Sequence, residues 1–293
     1  MKNMKKTTKL FWIIILVGVI GLFMTACQRY DSPRDFSTIP IRSDDNIASI
    51  THYTGRRVTI RIPPRIQGNT IVRIGPNAFN SMGIIDVTIP DRVTSIRENA
   101  FAGNRLTNID LPNSLRTIGN GAFANNQFTT LVFPDSVTSI GEVEWIMGSE
   151  GAFSNNKLTS IDLPSNLRTI GFAAFANNRL ISVTIPNRVE VIGVSAFLGN
   201  QLTSITIPNS VTGIGDRAFM GNQLTSVTIP NSVTGIGDSA FYNNPLTSIT
   251  IGANVDSNGW PFRNGFETAY DNNNRQAGTY TRPDTTSTTW TRQ

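Results

Sequence analysis

The residues that carry most enzyme chemistry are scarce in this chain. Its 293 residues hold one cysteine, Cys27, and one histidine, His52. A lone cysteine and a lone histidine give thiol–imidazole catalysis and zinc hydrolysis little to build on. Carboxylates do cluster in two places. Ser43, Asp44, Asp45 and Asn46 set two acids side by side, but no calcium loop follows them. Glu142, Glu144 and Glu150 gather around Trp145, where a carboxylate pair has acid–base work open to it; a flexible acidic loop is the simpler account. Gly-Ile-Gly-Asp at 213–216 recurs at 235–238 without the rest of a dinucleotide fingerprint. The sequence carries no P-loop, zinc-protease or nucleophile-elbow motif. The expectation is therefore no enzyme: no catalytic residue, no metal ligand and no cofactor.

Net charge points away from nucleic acid. The formal charge is +5, but Lys2, Lys5, Lys6 and Lys9 lie in an acid-free N-terminal segment. Without those four lysines the balance is +1, too small to hold a polyphosphate by charge.

The organising feature is a repeat. Gln201–Asn222 reads QLTSITIPNSVTGIGDRAFMGN, and the next 22 residues read QLTSVTIPNSVTGIGDSAFYNN. Phenylalanines 79, 101, 123, 153, 175, 197, 219 and 241 each follow alanine. They are 22 apart, except for one step of 30 across the insertion. The unit is L-x-x-I-x-I-P-x-x-[VL]-x-x-I-G-x-x-A-F-x-x-N-x. Its first half alternates apolar and small polar residues, the strand signal, and proline ends it. A second short apolar piece follows, as at Val233 and Ile236; Gly237 is read as permitting a turn. One such unit cannot bury its apolar side alone, but stacked units cover one another. Parallel strands at roughly 4.8 Å per rung make about nine rungs a body roughly 40 Å long.

This pattern resembles the leucine-rich repeat, and within it the BspA-like class, over about residues 58–252. The resemblance implies a repeat solenoid of stacked parallel β-strands, mostly β with turns and capped at both ends. A parallel β-helix is the competing architecture, although its usual repeats are shorter. Many relatives have cysteine where this chain has Asn104, Asn126, Asn156, Asn178, Asn200, Asn222 and Asn244; asparagine there is expected to satisfy turn backbone.

The N-terminus reads as an address. A basic start, an apolar run over 10–24 and Thr25-Ala26-Cys27 resemble a bacterial lipoprotein signal, with Cys27 the lipidated residue. The expected organisation is a signal peptide over 1–26, lipidated cysteine and tether over 27–37, and an N-terminal cap with a first degenerate repeat over 38–83. Repeats follow over 84–251 with an insertion at about 141–151, then a C-terminal cap over 252–293. Phe262 falls one residue short of the phenylalanine register and is a candidate last member of that column. Trp260, Phe266, Tyr270, Tyr280 and Trp290 either cover the last rung or form an exposed aromatic site.

Two columns of strand residues are expected to point outward. One is Asp86, Asn108, Thr130, Ser160, Ser182, Ser204, Ser226 and Ser248. The other is Thr88, Asp110, Val132, Asp162, Thr184, Thr206, Thr228 and Thr250. They predict a flat, polar face without a pocket, suited to a large or extended partner. Trp145 in the insertion is a second candidate contact. The resemblance implies a membrane-anchored, surface-exposed adhesin on the outer membrane, which attaches to host matrix or cell-surface proteins or to other bacteria. The alternative is a periplasmic envelope scaffold with no host ligand. A protein partner and a lipid-held membrane are expected, and no nucleic acid; the oligomeric state is open.

Overall fold

The computed structural model describes residues 30–42, 46–143, 149–253, 255–257 and 259–293. Cys27 and Trp145 lie outside the described residues. The described residues open with a 3-10 turn, Pro33–Asp35, then β1 (Phe36–Arg42), β2 (Ile47–Tyr53), β3 (Thr59–Arg61), β4 (Arg65–Ile66), β5 (Asn69–Ile74) and β6 (Asp86–Thr88). The repeats supply β7 (Ser95–Ile96), β8 (Thr117–Ile118), β9 (Thr130–Val132), β10 (Ser139–Ile140), β11 (Ser160–Asp162) and β12 (Thr169–Ile170). They continue with β13 (Val191–Ile192), β14 (Gly213–Ile214), β15 (Ser226–Thr228), β16 (Gly235–Ile236), β17 (Ser248–Ile251) and β18 (Asp256–Ser257). The C-terminus adds α1 (Phe266–Asn272), β19 (Gly278–Thr281) and β20 (Thr291–Arg292).

These elements make a solenoid, as the repeat predicts, but the unbroken ladder is not where the alternation placed it. It runs through the second half of the unit, in the order β1-β2-β5-β7-β8-β10-β12-β13-β14-β16-β18. Ile74, Ile96, Ile118, Ile140, Ile170, Ile192, Ile214 and Ile236 align in register along it, all buried. The L-x-x-I-x-I halves pair only in pieces: β3 with β6, β9 with β11, β15 with β17, and a lone bridge between Thr184 and Thr206. Proline limits that half to about three paired residues, because it has no N–H to give.

A second ladder is continuous although its residues form turns. Each Ala-Phe phenylalanine from Phe79 to Phe219 donates its N–H to the carbonyl of the alanine in the next turn, as Phe197 does to Ala218 at 2.8 Å, and Phe241 donates to Pro261 in the alanine's place. The insertion leaves both ladders intact. Phe123 N–H reaches Ala152 and Gly171 N–H reaches Ile140, each at 2.8 Å. The turn assigned to Gly237 also needs correction. The left-handed residue is Ser239 (φ 56°), two positions on. Gly237 is small because a Cβ there would collide with the backbone nitrogen of Asp216 in the turn beneath; it serves close stacking.

The core is a set of columns. Phe79, Phe101, Phe123, Phe153, Phe175, Phe197, Phe219, Phe241 and Phe262 stack with centroids 4.8–5.8 Å apart and planes within 14° of parallel. Phe262 thus belongs to the column despite its displaced register. Phe36 and Tyr53 close one end, with Tyr53 5.5 Å from Phe79. At the other, Phe266 meets Phe262 edge-on at 4.7 Å and is boxed by Tyr270, Tyr280 and Trp290. Four of the five C-terminal aromatics therefore cover the last rung; Trp260 stays 54% exposed.

The folded body begins earlier than the expected end of the tether at 37. Asp31 is buried, exchanges backbone contact with Arg61, and accepts the Arg61 N–H on its carboxylate at 2.6 Å. It closes the free edge of β3. The described core runs from Phe36 to Trp290, so residues 31–293 hold every buried contact described.

Candidate functional site

The strand face is a surface that the repeat presents rung after rung. Leu106, Leu158, Leu180, Leu202, Leu224 and Leu246, and Phe128 in the same register, are buried at the inner corner of each unit. Alternation then turns the next side chains outward. Asp86, Thr88, Asn108, Asp110, Thr130, Val132, Ser160, Asp162, Ser182, Thr184, Ser204, Thr206, Ser226 and Thr228 are exposed, and Ser248 and Thr250 half-buried. Register brings them into lines where the strands pair: Thr130 beside Ser160, Val132 beside Asp162, Ser226 beside Ser248 and Thr228 beside Thr250.

Two members were missed in the sequence. β19 returns antiparallel onto β17 and sets Thr281 beside Ser248 and Thr279 beside Thr250. The Thr250 and Thr279 hydroxyls are 2.9 Å apart. Both columns thus run on into the cap. The alternation Thr279-Tyr280-Thr281 was a legible strand signal, but nothing in the sequence gives its antiparallel partner. A flanking line was also missed. Arg105, Lys157, Arg179, Gln201 and Gln223, each directly after the repeat asparagine, are exposed.

The face is not flat and not uniform. A depression of about 490 Å³ is lined by Asp86, Thr88, Asp91, Asn108, Asp110 and Asn113. Another, of about 520 Å³, is lined by Thr206, Asn209, Thr228, Asn231 and Thr250 against Gly278 of the cap. The first is acidic and the second neutral and hydroxyl-rich. Between them Val132 is 71% exposed. Residues that follow the prolines, Asp91 and Asn113 in the first and Asn209 and Asn231 in the second, line both hollows, and elsewhere such residues bond between rungs. Asp135 accepts from the Ser165 hydroxyl at 2.8 Å and its N–H at 3.0 Å, which holds the Asp135 carboxyl below its usual range. Among the described residues no three carboxylate, imidazole or thiol groups gather to hold a metal. His52 is exposed on β2, in register with Ser37. Glu150 accepts from Asn125 at 2.5 Å; Glu144 lies outside the described residues.

The asparagine column is internal. Asn200 Nδ2 donates to the carbonyls of Phe175 and Phe197 at 2.9 and 3.1 Å, and its Oδ1 accepts the Leu180 N–H at 3.1 Å. Each amide so ties two rungs together and is spent on backbone.

The family description "BspA type Leucine rich repeat region" matches six copies over residues 58–145 and 148–262, more than half of the chain. The chain belongs to the BspA-type leucine-rich repeat family. That match decides for the leucine-rich repeat over the parallel β-helix, and the family is one of repeat proteins rather than enzymes. Among solved structures, a leucine-rich repeat protein from Bacteroides ovatus shares the fold. It is 22% identical, with a TM-score of 0.51, over 78% of this chain and 67% of that one. A leucine rich cell surface protein from Faecalibacterium prausnitzii is 28% identical, with a TM-score of 0.44, over 74% of this chain and 53% of that one. The Leucine Rich Repeat protein of T. pallidum is 20% identical, with a TM-score of 0.38, over 83% of this chain and 95% of that one. No curated protein matches the sequence.

Proposed function

We propose that this BspA-type repeat protein is a lipid-anchored, surface-exposed binding protein that attaches its cell to protein partners, of the host or of other bacteria, through the strand face. One observation carries the reading. Fourteen positions of one face, from Asp86 to Thr228, stay exposed along the solenoid while the residues between them are mostly buried. A face that long, with shallow hollows instead of one deep cavity, fits an extended or large ligand. Its side chains are short, so a partner's backbone can approach closely. Two further features support the reading. The lipobox-like Thr25-Ala26-Cys27 supplies an anchor, and the family's repeat architecture suits protein contact.

The test has two parts. Protease shaving of intact cells, with a periplasmic marker as control, is expected to remove the repeat body while the marker survives. Protection until the outer membrane is broken would overturn surface exposure and leave the periplasmic scaffold. Solid-phase binding of the body to immobilised matrix proteins is expected to saturate and to be lost on bulky substitution of the strand face.

A further inference from the structure

We infer that the N-terminal end of the solenoid is a membrane-contact surface, built to rest on the anionic phospholipid headgroups of the bilayer that holds the anchor. The inference rests on the lipid-anchor reading above for its geometry, but its chemistry lies in the folded body.

The first observation is reach. Because Asp31 is already buried and bonded to β3, only four residue steps separate it from Cys27. Four steps span at most about 14 Å. The tether expected to hold the body away from the bilayer is taken up by the fold. The first turn must then sit within roughly a Debye length or two of the headgroups.

The second is charge. Residues 28–83 carry eight arginines against four aspartates, a net charge of +4. Residues 84–293 carry 13 basic residues against 16 acidic ones, a net charge of −3. A nearly neutral body is thus a dipole with its positive end at the anchor. Of the arginines, Arg57 is paired with buried Asp31 at 3.3 Å. Among the described residues no carboxylate lies within ion-pair distance of Arg34, Arg56 or Arg65, and all three are exposed.

The third is apolar surface in the same turn. Tyr30 is 52% exposed, Ile39 on edge strand β1 54%, and Val58 43%. β1 is the last strand of the ladder, so this turn has no rung beyond it. A depression of about 780 Å³ opens beside Tyr30, floored by Pro33, Ile62, Pro63 and Pro64, with Arg65 and Arg92 against Asp31 and Asp91 among its charged lining. Aromatic and aliphatic side chains among arginines suit the headgroup boundary, where rings sit at the interface and cations meet phosphate. Each arginine near an anionic surface adds to the attraction.

The experiment uses the chain from residue 28, which contains every buried contact described, with cooperative thermal unfolding as its folding control. It is sedimented with vesicles of phosphatidylcholine alone or with 30 mol% phosphatidylglycerol. Binding is expected only with the anionic vesicles and should fall away at 0.5 M salt. Reversing the three free arginines together (Arg34→Glu, Arg56→Glu, Arg65→Glu) should weaken it at least about tenfold. The pair Arg116→Glu and Arg188→Glu, in the repeats, should leave it unchanged. A folded body that ignores anionic vesicles, binds neutral ones equally, or responds alike to both sets of reversals overturns the inference. Metabolic labelling of Cys27 with palmitate reads the anchor separately. Labelling without vesicle binding sinks this surface alone. Vesicle binding without labelling sinks the anchor and keeps the surface.

Discussion

One 22-residue unit makes two surfaces under opposite demands. At the inner corner, phenylalanine and asparagine recur in every full rung from Phe101-Asn104 to Phe241-Asn244. On the strand face the same backbone frame carries Asp86, Asn108, Thr130, Ser160 and Ser182 in one column. The corner is strict because each side chain serves its neighbours: rings stack on rings, and each amide answers backbone groups of two turns. The face requires only small side chains that tolerate a crowded parallel edge. Identity there is left to whatever touches it from outside. Difference along the face, acidic toward the N-terminal half and hydroxylic toward the C-terminal half, is therefore where specificity is expressed.

The largest predicted effect breaks the corner. Phe197→Ala removes a fully buried ring between Phe175 and Phe219, at a cost of about 3–5 kcal/mol from lost burial and the cavity left. Urea unfolding followed by circular dichroism measures it. In a solenoid, the loss is also expected to uncouple the rungs on either side and broaden the transition. Little change would show that the column is not what fixes the rung. Asn200→Ala comes next. It strands the Leu180 N–H away from water and takes one of two amide donors from each of the Phe175 and Phe197 carbonyls, which keep Asn178 and Asn222, and is expected to cost about 1–3 kcal/mol by the same assay.

The contrast also explains how much could be read in advance. The repeat length, the phenylalanine column and the asparagine role were legible because each depends on a residue type recurring at fixed spacing. The location of the continuous ladder was not. Alternation favours the L-x-x-I-x-I half, whereas the ladder runs through two-residue strands too short to leave a periodic trace. Gly237 misled for a related reason: a glycine needed for a close neighbour looks, in one dimension, like a glycine needed for a turn. Thr279 and Thr281 join the face only because α1 reverses the chain. Asp31 closes β3 from a stretch whose composition reads as linker.

A smaller effect tests whether the C-terminal cap is clamped like the corner. Asp238 accepts the Trp260 N–H at 3.0 Å, and Arg263 Nη2 donates to both of its carboxylate oxygens at 2.8 and 2.9 Å. Those contacts, the backbone bond first, lower its pKa to about 2. A carboxyl depressed on folding stabilises the native state above its ordinary value near 3.8, and that contribution is lost as pH falls through about 2. Asp238→Asn is therefore expected to melt below the parent at neutral pH. The gap in Tm should close between about pH 4 and pH 2. A gap that persists unchanged at pH 2 would mean that geometry, not ionisation, holds the clamp.

The smallest effect on stability is the most informative about function. Thr206→Ala and Ser204→Arg alter exposed residues of the strand face, and each is expected to shift unfolding by no more than about 0.5 kcal/mol. Corner variants would lose binding merely by losing the fold. Face variants separate the two. If Ser204→Arg leaves the melt unchanged but abolishes saturable binding to an immobilised protein that the parent holds, the face is the contact. Matched substitutions at Asp86 and Asp110 then report whether the acidic or the hydroxyl half selects the partner. If binding survives on both halves, the partner must be held elsewhere, and the uniformity of the face reflects only what a crowded parallel edge permits.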